Sequence, residues 1–199
     1  RYQNNDGNNY NTAIGFDAGN LITTGTINTL IGGLAGDALT QGNSNIAIGY
    51  QALTSETKGD RNVAIGVDAL YTQNNTSDTD VYNVAIGYYA GRLITTGSQN
   101  TLVGGLAGDA LTEGKNNVAI GYSALTAETH GERNVAIGIF ALGNQVNNSD
   151  VDTYNVAVGY NAGYAVTTGI YNTLLGGQAG DALTTGGSNV AIGLNALGA

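Results

Sequence analysis

The chain has 199 residues and is 42% hydrophobic, yet it carries 32 Gly and no Pro, Cys, Met or Trp. Only 11% of its residues are charged and the formal net charge is −9, so it has no basic patch to neutralise phosphates or dock on anionic lipid. Without cysteine there is no disulfide, thiolate nucleophile or Cys-ligated zinc site. The sequence shows no 18-residue apolar run and no signal-like start. It opens at Arg1 and contains no Met, which reads as a segment of a longer or processed chain.

Residues 1–10 are expected to be a loop or the end of a preceding coil. From Asn11 onward one pattern recurs: Asn, a β-branched residue, Ala or Leu, an aliphatic, then Gly. It begins at Asn11, Asn28, Asn45, Asn62, Asn83, Asn100, Asn117, Asn134, Asn155, Asn172 and Asn189. The copies follow a 17-residue step, lengthened to a 21-residue step after Asn62 and Asn134, so four copies form a 72-residue unit. The units are 11–82, 83–154 and a truncated 155–199, one continuous repeat domain. Repeats of this size that cannot bury an apolar face alone do so by stacking.

Numbering columns from each Asn, the second is always Val, Ile or Thr, the fifth always Gly and the eighth always Ala. Columns two to four read as a short strand, because side chains alternate with period 2 and Gly supplies a corner. A second strand is expected near columns eight to twelve. The fold class is therefore all-β, a parallel β-roll or β-solenoid of 17- and 21-residue coils. Its strand core is expected from columns two and four: Thr12, Ile14, Val63, Ile65, Val84, Ile86, Val118, Ile120, Val135 and Ile137. The third column lies on the opposite strand face. There Ala13, Ala47, Ala64, Ala85, Ala119, Ala136, Ala157 and Ala191 are expected to permit close chain–chain contact. Two apolar strand faces point to several chains packed side by side. The segments "YTQNNTSDTDVY" (71–82) and "NQVNNSDVDTY" (144–154) read as polar loops bulging from every fourth coil.

"NVAIG" with its following Ala resembles the head repeat of YadA-like trimeric autotransporter adhesins, left-handed parallel β-rolls of three chains. The 17-residue version, with Tyr after Gly ("NIAIGYQALT", "NVAIGYSALT") and "TTG" between copies, is still more similar to repeats of phage tail fibres. The coils here are longer than the adhesin coil. The resemblance covers residues 11–199 and implies a trimeric, extracellular fibre segment in a virion appendage, with flanking fibre domains as partners. The alternative is a bacterial surface adhesin head. Either implies support of, or contribution to, host-surface attachment through a glycan or protein, with no nucleic acid and no membrane insertion.

Site chemistry is sparse, and no enzyme is expected. The single histidine, His130 in "TAETHGER", occupies the column of Lys58 in "TSETKGDR" and reads as a solvated loop position. Glu56, Lys58, Asp60 and Arg61, with Glu128, His130, Glu132 and Arg133, are expected to form ion pairs across coils or chains. No cofactor is expected, although two kinds of segment raise the question of calcium. "GGLAGDALT" (32–40, 104–112) and "GGQAGDALT" (176–184) approach a calcium-binding nonapeptide, but recur only once per four-coil unit and read as turns. The D-x-D pairs Asp78–Asp80 and Asp150–Asp152 are weak metal candidates. Tyr50, Tyr88, Tyr122 and Tyr160 share column six and are surface-recognition candidates, since Tyr has an apolar body and a polar tip; corner packing is the plainer alternative. The threonine pairs Thr23–Thr24, Thr95–Thr96 and Thr167–Thr168 are too sparse for an ice-binding array.

Overall fold

A computed structural model describes residues 9–198. Residues 1–8 of the expected leading loop, and Ala199, lie outside the described residues. The described chain is all-β, without a helix, and forms a parallel β-solenoid. Eleven three-residue strands build one sheet among the described residues: Thr12–Ile14, Thr29–Ile31, Ile46–Ile48, Val63–Ile65, Val84–Ile86, Thr101–Val103, Val118–Ile120, Val135–Ile137, Val156–Val158, Thr173–Leu175 and Val190–Ile192. Each pairs in parallel with the strand one coil away, in register: Thr12 over Thr29, Val63 over Val84, Val156 over Thr173. At about 4.8 Å per strand the stack is roughly 50 Å long.

The expected second strand at columns eight to twelve is a turn region. Columns seven and nine adopt positive φ, as in Asp68 (54°) and Leu70 (52°), and a chain that twists at both cannot run extended between them. Small second sheets arise elsewhere: Gly59–Asp60 pairs with Thr79–Asp80, and Gly131–Glu132 with Val151–Asp152. The column-five glycines have φ near +138°, and a Cβ on Gly87 would sit 2.4 Å from the Gly104 carbonyl oxygen. Only glycine fits a corner stacked that closely on the next.

The two strand faces are the reverse of the sequence expectation. Ala47, Ala64, Ala85, Ala119, Ala136 and Ala157 are fully buried inside the coil, as is nearly all of Ala191, and Ala13 is partly buried against the same core. None of them faces outward for chain–chain contact. Thr12, Ile14, Val63, Ile65, Val84, Ile86, Val118, Ile120, Val135 and Ile137 instead form the outer face, partly or largely exposed. The reason is volume. The lumen must hold columns one, three, eight, nine and twelve together, so the small residue goes in and the branched ones go out.

The same limit explains the four-coil unit. Where column three is Leu, as at Leu30, Leu102 and Leu174, column nine of that coil and the one before is Gly. A Cβ on Gly108 would lie 2.9 Å from Leu102 Cδ2, and one on Gly91 would lie 2.8 Å from Leu102 Cδ1. Where column three is Ala in the third and fourth coils, column nine becomes a buried Leu: Leu53, Leu70, Leu125 and Leu142. The bulk thus shifts between columns three and nine along the four-coil unit, with one column-three Leu filling the space beside two column-nine glycines, which keeps the interior near close packing.

Column one supplies the polar spine. The Asn28 backbone N–H donates to Asn11 Oδ1 at 2.8 Å, and Asn28 Nδ2 donates to Asn11 Oδ1 and to the Gly42 carbonyl at 2.9 Å. The backbone-to-Oδ1 bond recurs at every step to Asn189. It reaches 3.2 and 3.3 Å only where a 21-residue coil intervenes, at Asn83 and Asn155.

Replacing Asn100 with Ala strands the Asn117 backbone N–H and the Gly114 carbonyl and leaves Asn117 Nδ2 only its bond to Gly131, and should cost about 2–5 kcal/mol. Denaturant unfolding should place Gln41→Ala, on the exposed surface, within about 0.5 kcal/mol of the native chain. Gly108→Leu alone should be strongly destabilising, whereas Leu102→Ala/Gly108→Leu, which recreates the Ala119/Leu125 pattern, should recover at least about half of the lost stability by the same measurement.

Candidate functional site

Two surfaces stand out: the outer sheet face and the pair of inserted loops. The outer face carries columns two and four, every one of them Thr, Val, Ile or Leu. One flank is the residue before each asparagine, with exposed Tyr10, Ile27, Tyr82, Tyr154 and Tyr171. The other is column six, with exposed Phe16, Tyr50, Val67, Tyr88, Tyr122, Ile139, Tyr160 and Leu194. Tyr50, Tyr88, Tyr122 and Tyr160 thus stand exposed, 50–56% accessible, along one rim of the apolar face. Tyr50 and Tyr122 lie against Gly33 and Gly105, glycines that leave room for the rings. The whole band is on the order of 700 Å² if it is about 15 Å wide along the stack. Monomers rarely leave so large an apolar patch bare.

The loops sit at the ends of coils four and eight. Arg61 pairs with Asp80 and Arg133 with Asp152, and each guanidinium lies 5.6 Å from a tyrosine ring centroid, Tyr82 and Tyr154 respectively. Arg133 also reaches Glu132 at 3.1 Å, and Lys115 lies 3.8 Å from Glu132. Asp80 and Asp152 are therefore engaged by arginine, while Asp78 and Asp150 are exposed at the loop tips. Among the described residues, no three His, Asp or Glu side chains gather as a metal site. Asp60 accepts from the Asn43 backbone N–H at 2.6 Å.

Glu56 and Glu128 do not form the expected ion pairs. Both are fully buried, because every group around their carboxylates is a neutral N–H donor. Lys58 and His130 are half-buried beside them, and His130 Nδ1 lies 3.0 Å from Thr129 Oγ1. Beside Lys58 and His130, these two glutamates read in the sequence as solvated loop acids. The usable signal was their column: twelve, elsewhere Ile22, Leu39, Ile94 and Leu111.

The nonapeptide-like stretches act as turns. Thr54 donates to Asp37, and Thr126 Oγ1 donates to Asp109 Oδ1 at 2.5 Å. Burial pushes the Asp109 carboxyl above its ordinary range, opposed by the Thr126 hydrogen bond. The hydroxyls of Thr23, Thr95 and Thr167 donate to carbonyls one coil on. One further aromatic group lies between coils four and five: Arg92 sits over the rings of Tyr89 (4.5 Å) and Tyr71 (5.6 Å), and 3.7 Å from Asp68.

Comparison with protein-family models, curated proteins and solved structures finds no match to this chain. Functional reading therefore rests on the geometry itself. Among the described residues, no helix is long and apolar enough to cross a membrane.

Arg133 and Asp152 are 38% and 48% exposed in their side chains, so Arg133→Ala should change stability by less than about 1 kcal/mol in denaturant melts. With Asp80 and Asp152 held by arginines, EDTA should leave the melting temperature unchanged; a fall reversed by calcium would show a cation there.

Proposed function

We propose that this chain is a rigid structural fibre segment of a virion appendage, of the phage tail-fibre kind. In this reading it works as a homotrimer of side-by-side solenoids outside the cell. It spaces and supports host-surface attachment and has no catalytic activity or cofactor. The observation that carries the reading is the outer sheet face, an uncharged double row of Thr, Val, Ile and Leu running the length of the stack. A partner surface must match its repeat of about 4.8 Å and its length, and a second copy of the chain does both. The area per copy is on the order of the 800 Å² per partner found in stable interfaces. The chain–chain role expected of the alanine row passes to this aliphatic row. Tyr50, Tyr88, Tyr122 and Tyr160 then lie at the seam between copies, where an apolar body and a polar tip are both used.

The second reading is a bacterial surface adhesin head. The paired loops favour a share in attachment itself, because each presents an arginine, a carboxylate and an exposed tyrosine at the same place, four coils apart. A receptor glycan or protein would meet the particle through them.

Light scattering on the purified chain should give three times the chain mass with an elongated shape; a compact monomer overturns the proposal. Val135→Lys/Ile137→Lys should yield monomers that keep the β-rich circular dichroism spectrum, because the substituted residues lie outside the coil. A glycan array then separates a binding segment from a spacer.

A further inference from the structure

We infer that Glu56 and Glu128 are positioning residues that clamp the two inserted loops into fixed shapes, so that the loops are preformed display elements. Glu56 Oε1 accepts from the backbone N–H groups of Thr57 (2.9 Å), Lys58 (3.1 Å) and Gly59 (2.8 Å), the turn that follows it. The same oxygen accepts from the Asn75 backbone N–H at 3.0 Å, and Oε2 accepts from Asn75 Nδ2 at 2.9 Å and Gln73 Nε2 at 2.8 Å. Asn75 is the foot of the loop in the next coil.

The second unit repeats every contact. Glu128 Oε1 takes Thr129, His130 and Gly131 N–H at 2.9, 3.2 and 2.8 Å and Asn147 N–H at 3.0 Å. Its Oε2 takes Gln145 Nε2 at 2.7 Å and Asn147 Nδ2 at 2.8 Å. The two glutamates, at the same place in successive four-coil units, each meet six donors and no acceptor, which fits only an acceptor-only group. A Cβ on Gly59 or Gly131 would lie 2.7 or 2.6 Å from Oε2 of its glutamate, so the carboxylate leaves no room for a side chain at that glycine.

The clamp sits where the repeat itself fails. In every 17-residue coil preceding another, column fifteen is Gly, and its carbonyl accepts the Nδ2 of that coil's asparagine, as Gly97 and Gly114 do. In the 21-residue coils that position is Thr76 or Asn148. There Gln73 and Gln145 turn their Oε1 atoms to Asn83 and Asn155 Nδ2, at 2.8 and 2.9 Å, and their Nε2 atoms to the glutamate. A chain of glutamate, glutamine and asparagine thus joins the loop foot to the polar spine. The other foot is held by the pairing of Thr79–Asp80 with Gly59–Asp60, and of Val151–Asp152 with Gly131–Glu132. Only the tips, Thr76–Asp78 and Asn148–Asp150, are left outside both holds. A partner that meets such a loop orders little of it on binding, which spares affinity the entropic loss of a floppy loop. The use for display rests on the attachment reading above; the clamp itself does not.

The test is hydrogen exchange on the full chain carrying Glu128→Gln, with Glu128→Gln/Gln145→Glu as its partner. In the single variant one side-chain oxygen becomes an amide that faces donors, whichever way it turns. The Asn147 and Gly131 amides should exchange about 10- to 100-fold faster, while those of Thr29 and Leu30, in the second coil, stay within about threefold of native. The swap restores a donor opposite an acceptor between positions 128 and 145 and should return the Asn147 amide most of the way. Native-like exchange at Asn147 in a folded single variant overturns the inference, and so does equal acceleration throughout the chain. Should the single variant fail to fold, the swap is read alone: a protected Asn147 supports the clamp, and an open loop or an unfolded chain overturns it. A monomer in light scattering would remove the trimer reading and leave this result unaffected, because every contact in the clamp lies within one chain.

Discussion

The structure depends on one repeated hydrogen bond, from the backbone N–H of each column-one asparagine to the side-chain oxygen of the asparagine one coil before. It forces each coil to sit squarely on its neighbour, and that fixes the rest. The strands fall into register, the corner glycines stack with no room for a Cβ, and the lumen keeps one cross-section. A buried amide is costly unless both its ends are satisfied. Here the oxygen takes the next amide while Nδ2 finds a neighbouring asparagine oxygen, a column-fifteen carbonyl or both. The spine is therefore a condition of folding in this register as well as a source of stability.

A lumen of fixed section then dictates which side chains enter. The buried bulk moves among columns three, nine and twelve from coil to coil, and the 72-residue period is the period of that rearrangement. Buried Glu56 and Gln73, with Glu128 and Gln145, belong to it as much as Leu30 or Leu102 does. They take the column-twelve place of an aliphatic residue and use it to hold the longer coils. Interior packing and loop insertion are thus one design, since the lumen becomes polar in the coil that lengthens and in the coil before it.

The repeat, the strand at columns two to four and the corner at column five were legible in the sequence, because period 2 and an unvarying glycine are local signals. The side of the strand was not. Hydrophobicity favours Val and Ile for the interior over Ala, and that preference fails when volume is the binding constraint, as at Ala64 between Val63 and Ile65. The asparagines marked the repeat, but nothing in their letters showed that they bond to one another from coil to coil. Glu56 and Glu128 were misplaced for a related reason. Their donors are mostly backbone amides, which no composition reveals. Of the candidate surfaces, the column-six tyrosines could be located by spacing alone, whereas the exposed aliphatic face followed only once the alanines were found inside.

The two longer coils also act as marks on a scale. A stack of identical coils looks the same after a shift of one step, about 4.8 Å, so two such stacks laid together have many equivalent alignments. A 21-residue coil every fourth step removes most of them, because a protruding loop meets its own kind only at shifts of four. In the side-by-side arrangement proposed above, the fourth coil would mark position along the axis, as the long division on a ruler does.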